Sequence, residues 1–445
     1  IHTVRTMNKI QRSRLADDLY IRLVDEEDAR VCKDISEDAC REVPGNFLRI
    51  VLSNLLTQTG DALINPKTVL AWLINFAGAP AFVLGLLVPI RESGSLIPQL
   101  AIAAWVRRKP VRKWVWVIGS FLQGAAVAAM GVTALIMSGM AAGITLLLEL
   151  VVFSLARGLC SVASKDVMGK TIPKTRRGRV SGIASGLSGI VVGLIGLWMF
   201  FGRPDSAGPW FYAILLFVAA TFWWIAALVF GSIEEEPGET AGGGNAGAEA
   251  LKSLGLLSRD RQFRHFVITR ALMITSALVA PYYVTLAQRS SGGSTGVLGL
   301  LILAGGLASS LSAPTWGKMA DRSSRRVLIW ASSLAAGLGI TVFVLERSLG
   351  DAVPNWVYPF AFLLLGIAHA GVRLGRKTYL IDMAGGNKRT DYVAVGNTLI
   401  GVILLAAGGV TAALSFLSPE VLVLGLAMIS VIGVVSAIRL PEVQV

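Results

Sequence analysis

The sequence predicts an all-α membrane protein: twelve transmembrane helices in two six-helix bundles of related construction. Three observations carry this reading. Of 445 residues, 54% are hydrophobic and only 16% charged, with a mean hydropathy of +0.64, whereas soluble domains carry about 25% charged residues. Apolar stretches of about 20 residues, enough to cross a hydrocarbon core, recur along the whole chain. The charges fall between them, and a Gly-rich polar linker divides the stretches six and six.

Residues 1–45 are polar and mixed in charge, with an acidic turn at Asp25–Asp28. They read as a solvated cytoplasmic lead-in holding a short amphipathic helix. They lack the basic patch and short apolar run of a signal peptide, so the first span is expected to act as its own insertion signal. Spans are predicted near 47–66, 80–104, 114–138, 141–163, 180–202, 210–231, 264–287, 296–317, 327–346, 356–375, 392–415 and 419–438. The first bundle is then 46–232, the linker 233–262, the second bundle 263–438 and a short tail 439–445. The linker opens with Glu234 to Glu236, passes Gly242 to Gly244 and ends in a basic stretch, Arg259 to Arg264, the composition of a flexible connector.

Orientation follows from the loops. One set is basic: Arg107, Arg108, Lys109, Arg112 and Lys113; Lys165 to Arg179; Lys318, Arg322, Arg325 and Arg326; Arg376, Lys377, Lys388 and Arg389. The alternate set is short and nearly neutral. Basic loops stay cytoplasmic, so both termini are expected in the cytoplasm of a bacterial inner membrane. The formal net charge of +13 belongs to this bias. No basic segment is interleaved with exposed aromatics, so nucleic acid is not an expected partner. Of three cysteines, Cys32 and Cys40 are polar-segment residues without zinc-site spacing, and Cys160 lies in a span; reduced thiols are expected.

One loop carries more information. Gly317-Lys-Met-Ala-Asp321-Arg322-Ser-Ser-Arg325-Arg326 resembles the signature Gly-x-x-x-Asp-Arg-x-Gly-Arg-Arg of the major facilitator superfamily, with Ser324 in place of the second glycine. The resemblance extends by topology over all twelve spans and implies a secondary transporter, with no enzymatic activity and no cofactor. It implies that Asp321 contacts the N-terminus of a later helix and the arginines of the turn, a latch on the cytoplasmic side built from a carboxylate and a positive helix end. Gly317, Asp321, Arg322, Arg325 and Arg326 are thus gating candidates. The counterpart in the first half departs from the pattern: residues 101–113 keep the basic charges, but Trp105 stands where the Asp belongs, with Asp166 a candidate substitute. Arg157 resembles an arginine of proton-coupled drug exporters of this superfamily. Span 5 carries Gly182, Gly186, Gly189, Gly193 and Gly196, a stripe suited to close helix approach, but lacks the Gly-Pro pair of the antiporter signature.

Ionisable groups inside spans are costly and default to functional hypotheses. Asp61, Glu92 and Glu149 fall at a similar depth near the midplane on spans 1, 2 and 4. In this fold spans 1 and 4 line the central cavity and span 2 flanks it. The three acids fit a proton relay or, equally, a static charge network, with Arg91 a neutralising partner for Asp61. Asp61 ranks first, because Gly60 and Pro66 suggest a locally opened helix. Arg157, Arg270 and Arg373 are placed nearer the cytoplasmic end, as contacts for an anionic substrate group or as snorkelling side chains. His369 reads as a proton relay or a packed hydrogen-bonding residue, and Tyr282, Tyr283 and Asn397 as cavity-lining groups. No phosphate-binding loop, metal cluster or nucleophile–base set is legible. The expected activity is proton-coupled movement of a small organic solute, anionic or amphiphilic, by a monomer in contact with membrane lipid. A lipid or lysolipid flippase, a drug exporter, a metal-ion exporter and a non-transporting sensor or scaffold are the alternatives.

Overall fold

The computed structural model describes residues 20, 21, 23, 35, 37–202, 208–238, 240, 255–384 and 389–444. Apart from turns these residues are helical: α1 Glu37–Arg41, α2 Val43–Leu63, α3 Val69–Phe76, α4 Phe82–Leu96, α5 Gln99–Arg107, α6 Lys113–Ile136, α7 Gly139–Thr171, α8 Lys174–Gly202, α9 Pro209–Gly231, α10 Leu256–Arg259, α11 Arg261–Leu272, α12 Thr275–Leu278, α13 Ala280–Ser290, α14 Thr295–Arg322, α15 Ser324–Leu349, α16 Val357–Met383, α17 Arg389–Ala413 and α18 Pro419–Ile438.

Ten helical stretches among the described residues are long and apolar enough to cross a membrane. The first two expected spans are the exceptions: α2 is 21 residues long but too polar, with Arg49, Asn54, Gln58 and Asp61 along it, and α4 is cut short at 15 residues. Span 1 breaks after Leu63 at Asn65-Pro66-Lys67 and resumes as α3; proline has no N–H to donate and its ring disfavours the preceding helical turn. Span 2 breaks before Pro98 and resumes as α5. Span 7 is also segmented, as α11, α12 and α13, with Pro281 in the first turn of the last piece. The expected opening beside Gly60 is not there: α2 runs through Gly60 and Asp61, and Gly60 instead admits the Trp223 ring, which a Cβ would meet at 2.8 Å.

Helices α2 to α9 pack chiefly on one another, as do α11 to α18; two long seams, α4 on α17 and α8 on α14, join the two sets. The basic loops after α5, α7, α14 and α16 define one face of the molecule. Both seams lie toward the opposite, far face. Backbone meets backbone where Gly196 and Gly299 face each other: a Cβ on Gly299 would lie 2.5 Å from the Gly196 carbonyl oxygen. On the other seam Gly408 abuts Pro89, Gly85 abuts Ala412, and the Ser93 hydroxyl donates to the Gly401 carbonyl at 2.8 Å. Further out, Asn75 on α3 donates to Thr285 on α13 at 2.9 Å, and the Gln288 amide donates to the Trp72 carbonyl. Without a hydrophobic drive between helices in lipid, such close small-residue packing and hydrogen bonding is what holds them.

Toward the basic face the seams end. The glycine stripe of α8 was expected to pack along its length, but only Gly193 and Gly196 touch α14; a Cβ at Gly182, Gly186 or Gly189 would meet nothing within 4 Å. The two bundles therefore close at the far face and part toward the basic face. Two other expectations also change. Tyr20 is buried edge-on against Phe47, so that part of the lead-in docks on α2 instead of standing in solvent. Cys40 is disulfide-bonded, where a reduced thiol was expected, with Cys160 the free thiol among the described residues. The acidic turn at Asp25–Asp28, Cys32, Arg203 with Asp205, linker residues 241–254 and Lys388 lie outside the described residues.

Gly299→Leu is expected to wedge α14 from α8 and populate a form open at the far face. A cysteine placed at Thr285, which is 5% exposed, would then react with a maleimide several-fold faster than in the parent; an unchanged rate would show that this seam does not close that face.

Candidate functional site

The break in span 1 sets the site. Asn65 Oδ1 accepts the Lys67 amide at 2.9 Å, holding the reversal after Pro66. Asp61 sits one turn before the break and receives two guanidiniums. Its Oδ1 accepts from Arg91 Nη2 of α4 at 2.8 Å, and its Oδ2 accepts from Arg157 Nη1 of α7. Arg91 also lies over the Phe153 ring, 4.8 Å from its centroid. Three helices are thereby tied at one carboxylate. Arg157 was expected near the end of its span; instead α7 runs on to Thr171, which leaves Arg157 about 20 Å from that end at a rise of 1.5 Å per residue.

After the break, the Lys67 ammonium donates to His369 Nε2 of α16 at 2.9 Å, and His369 Nδ1 lies 3.2 Å from the Ser276 hydroxyl of α12. An ammonium only donates, so Nε2 accepts and Nδ1 carries the proton toward Ser276. This chain of bonds joins the two bundles at the roof of the opening. From His369, Arg373 and Arg376 follow at i+4 and i+7 on one stripe of α16, and both lie within electrostatic reach of Lys67. Arg270 of α11 is 7% exposed and bonds Asn397 Oδ1 of α17 at 3.1 Å; its Nε is buried without a partner.

The three expected acids do not share one environment. Glu92 is exposed within the opening and lies within electrostatic reach of Lys67, Arg91, Arg157 and Arg376, with no ion pair of its own among the described residues. Glu149 stands apart. It is about 12 Å along α7 from Arg157, accepts from Thr133 of α6 at 2.8 Å, and its second oxygen is buried without a partner. Tyr282 and Tyr283 are buried; the Tyr283 hydroxyl has no hydrogen-bond partner among the described residues, and Tyr282 has Thr411 beside it. Lys67 and Arg376 belong to the cluster although their sequence context reads as a span end and a loop. The available signal was the i, i+4, i+7 spacing of His369, Arg373 and Arg376.

No family model matches the chain. Uncharacterized proteins of Mycobacterium tuberculosis and Mycobacterium bovis align at 24% identity over 296 residues, 64% of this chain and 56% of the relative, so the chain spans about half the length of the curated relatives it matches. Among solved structures, the nucleoside transporter NupG superposes with a TM-score of 0.67 at 14% identity, over 88% of this chain and 98% of that one. The inward open conformation of the xylose transporter XylE from E. coli superposes with a TM-score of 0.66 at 11% identity, over 90% and 97%. A further XylE structure, described as a major facilitator superfamily proton:xylose symporter, gives 0.56 at 12% identity over 90% and 96%. This chain has the major facilitator fold.

On the basic face of this major facilitator fold the signature loop is held by the chain's own C-terminal residues. Ser323 Oγ caps α15 by accepting the Arg326 amide and donates to Glu442 at 2.7 Å. Arg325 donates to the Leu440 carbonyl at 3.0 Å, the Ser324 amide donates to Gln444, and Gln444 donates to the Ala320 carbonyl and to Asp382. Asp321, the expected latch carboxylate, is exposed with no hydrogen bond or ion pair among the described residues, as follows where the bundles stand apart. In the first half the acid at a helix N-terminus is Glu235 of the linker. It accepts the Arg112 and Lys113 amides at the start of α6 and pairs with Lys170 at 2.8 Å, its side chain fully buried. Asp166 pairs with Arg112 at 3.1 Å. Acids from two other segments thus meet this basic loop, in which Trp105 stands where an acid was expected. A groove of 470 Å³ between α14 and α15, lined by Lys318, Arg322, Arg326 and Trp330, belongs to this face and not to the central cluster.

Two outcomes follow from these contacts. Asp61→Asn removes the charge that neutralises Arg91 and Arg157, and is expected to lower stability by roughly 3 kcal/mol, as breaking a buried ion pair does; thermal unfolding in detergent measures it. Replacing Glu442 and Gln444 with Ala is expected to speed hydrogen exchange of residues 320–326 about tenfold, the loss of about 1–1.5 kcal/mol of hydrogen bonding, with exchange in α2 and α4 unchanged.

Proposed function

We propose that this chain is a secondary transporter that carries a small organic solute across a bacterial inner membrane by alternating access, coupled to protons. The observation that carries this reading is the charged cluster of Asp61, Lys67, Arg91, Glu92, Arg157, His369, Arg373 and Arg376 at the meeting of two bundles that close on one face and part on the other. Midplane sites between two repeats that rock about them are how such transporters work. The basic loops support a cytoplasmic open face; on this reading the conformation is inward-facing, both termini are cytoplasmic and the far-face glycine seams are the outer gate.

Within the cluster the roles divide. Asp61, with an arginine on each oxygen, is a tie between helices α2, α4 and α7. Glu92 is the proton-carrying acid: it faces the opening, has no ion pair, and lies beside the cations that a changing charge would influence. Glu149, outside the reach of those cations, stabilises the contact of α6 with α7 through Thr133. His369, between Lys67 and Ser276, positions the inter-bundle contact.

In proteoliposomes with an imposed pH gradient, Glu92→Gln is expected to abolish gradient-driven accumulation while leaving solute counterflow at parental rates. Gradient-driven accumulation that survives Glu92→Gln would end the assignment of Glu92. Absence of flux for every solute class tried, with the protein folded, would end the transporter reading.

A further inference from the structure

The charges of the cluster do not balance. Six cations, Lys67, Arg91, Arg157, Arg270, Arg373 and Arg376, stand with two acids, Asp61 and Glu92, each within electrostatic reach of another member. Asp61 accounts for Arg91 and Arg157. Among the described residues Lys67, Arg270, Arg373 and Arg376 have no acid within ion-pair distance; Glu92 alone lies within electrostatic reach of Lys67 and Arg376, one negative charge among four positive ones that also repel one another. Arg270 is the sharpest case, since it is 93% buried, leaves Nε unpartnered and has a neutral amide as its protein partner. An unpaired buried cation is costly, and inside a bilayer such groups are retained facing a pathway or cavity.

We infer that this cavity binds an organic anion carrying two or more negative charges, with its phosphoryl or carboxylate oxygens held by Arg270, Arg373 and Arg376 and by the Lys67 ammonium. The planar guanidinium fork suits such oxygens, which it can engage two at a time. Asn397 fixes the tilt of Arg270, and Lys67 is already steered into the opening by His369. While the basic face is open, water screens the surplus. Closure expels that water and strengthens the repulsion among the cations, so the form that occludes is the one with the anion bound. This separates the chain from its structural neighbours NupG and XylE, described as carriers of a nucleoside and of xylose.

The inference rests on the transporter reading for movement of the anion, but binding is measured without flux. Purified protein in dodecyl maltoside is unfolded thermally while titrated with inorganic phosphate, citrate, xylose and uridine at constant ionic strength. A second arm adds phosphatidylglycerol or phosphatidylcholine. A ligand that binds only the folded form raises the midpoint in a saturable way. The expected result is a saturable rise with phosphate or citrate and none with xylose or uridine, with affinity at least about tenfold weaker in Arg270→Gln and in Arg373→Gln, a loss of about 1.4 kcal/mol or more. Arg373 is exposed, so its replacement keeps the test valid if Arg270→Gln does not fold. A rise with the dissolved anions supports the inference and assigns the site to a dissolved solute; a rise confined to phosphatidylglycerol, whose phosphodiester carries one negative charge, overturns it in favour of a lipid headgroup. No saturable rise with any anion, an equal rise with xylose, or undiminished affinity in Arg373→Gln overturns the inference. Anion binding without flux would sink the transporter reading and keep this one, and flux of a neutral solute without anion binding would do the reverse.

Discussion

Two guanidiniums converge on the carboxylate of Asp61, and the cavity is organised around that contact. Arg91 and Arg157 come from different helices, so the carboxylate fixes the relative rotation of α2, α4 and α7. Its worth is conditional. Removing charges from water is expensive, and an ion pair in a low-dielectric interior offsets that cost only with good geometry. Here each carboxylate oxygen takes its own arginine, and Phe153 covers the Arg91 face. Gly60 beside Asp61 serves the same end by letting the Trp223 ring approach α2. Once Asp61 is engaged, the remaining cations of the opening are left to whatever enters it.

The second constraint is how the two bundles touch. Paired glycines on two seams let backbones meet at the far face, and nothing comparable continues toward the basic face. The proposed rocking of the two bundles would need contacts numerous enough to seal one side and shallow enough to break, and small-residue seams with a few hydrogen bonds have that character. The Lys67–His369–Ser276 chain lies at the inner end of these seams.

The basic face uses helix ends in the same chemical way in both halves but with different donors of charge. Glu235 of the linker sits on the α6 amides, while Ser323 caps α15 and is itself bonded by Glu442 of the C-terminal tail. Segments that read as a connector and a tail are therefore part of the loop structure. Asp321 stands unengaged beside them, consistent with bundles that are apart on this face.

Membrane class, most helix positions and the charge bias of the loops were legible in the sequence, because hydrocarbon thickness and the lack of water in the bilayer impose length and polarity on every span. The signature loop pointed to the right fold for the same local reason. Depth along a helix was legible only in part, since α7 runs on to Thr171 and leaves Arg157 far from its end, and facing was not legible at all. Glu149 lies on the same helix as Arg157 yet meets Thr133, because rotation about the axis is set by neighbours. Lys67 looked like a span end, and only folding brings it to His369, 302 residues away. Arg376 looked like a loop charge until α16 extended past it to Met383. The sequence by itself determined what must be buried in lipid. The tertiary structure decided which charges meet and which remain without counter-charge, because ion pairing depends on distances between helices that no spacing along one chain records.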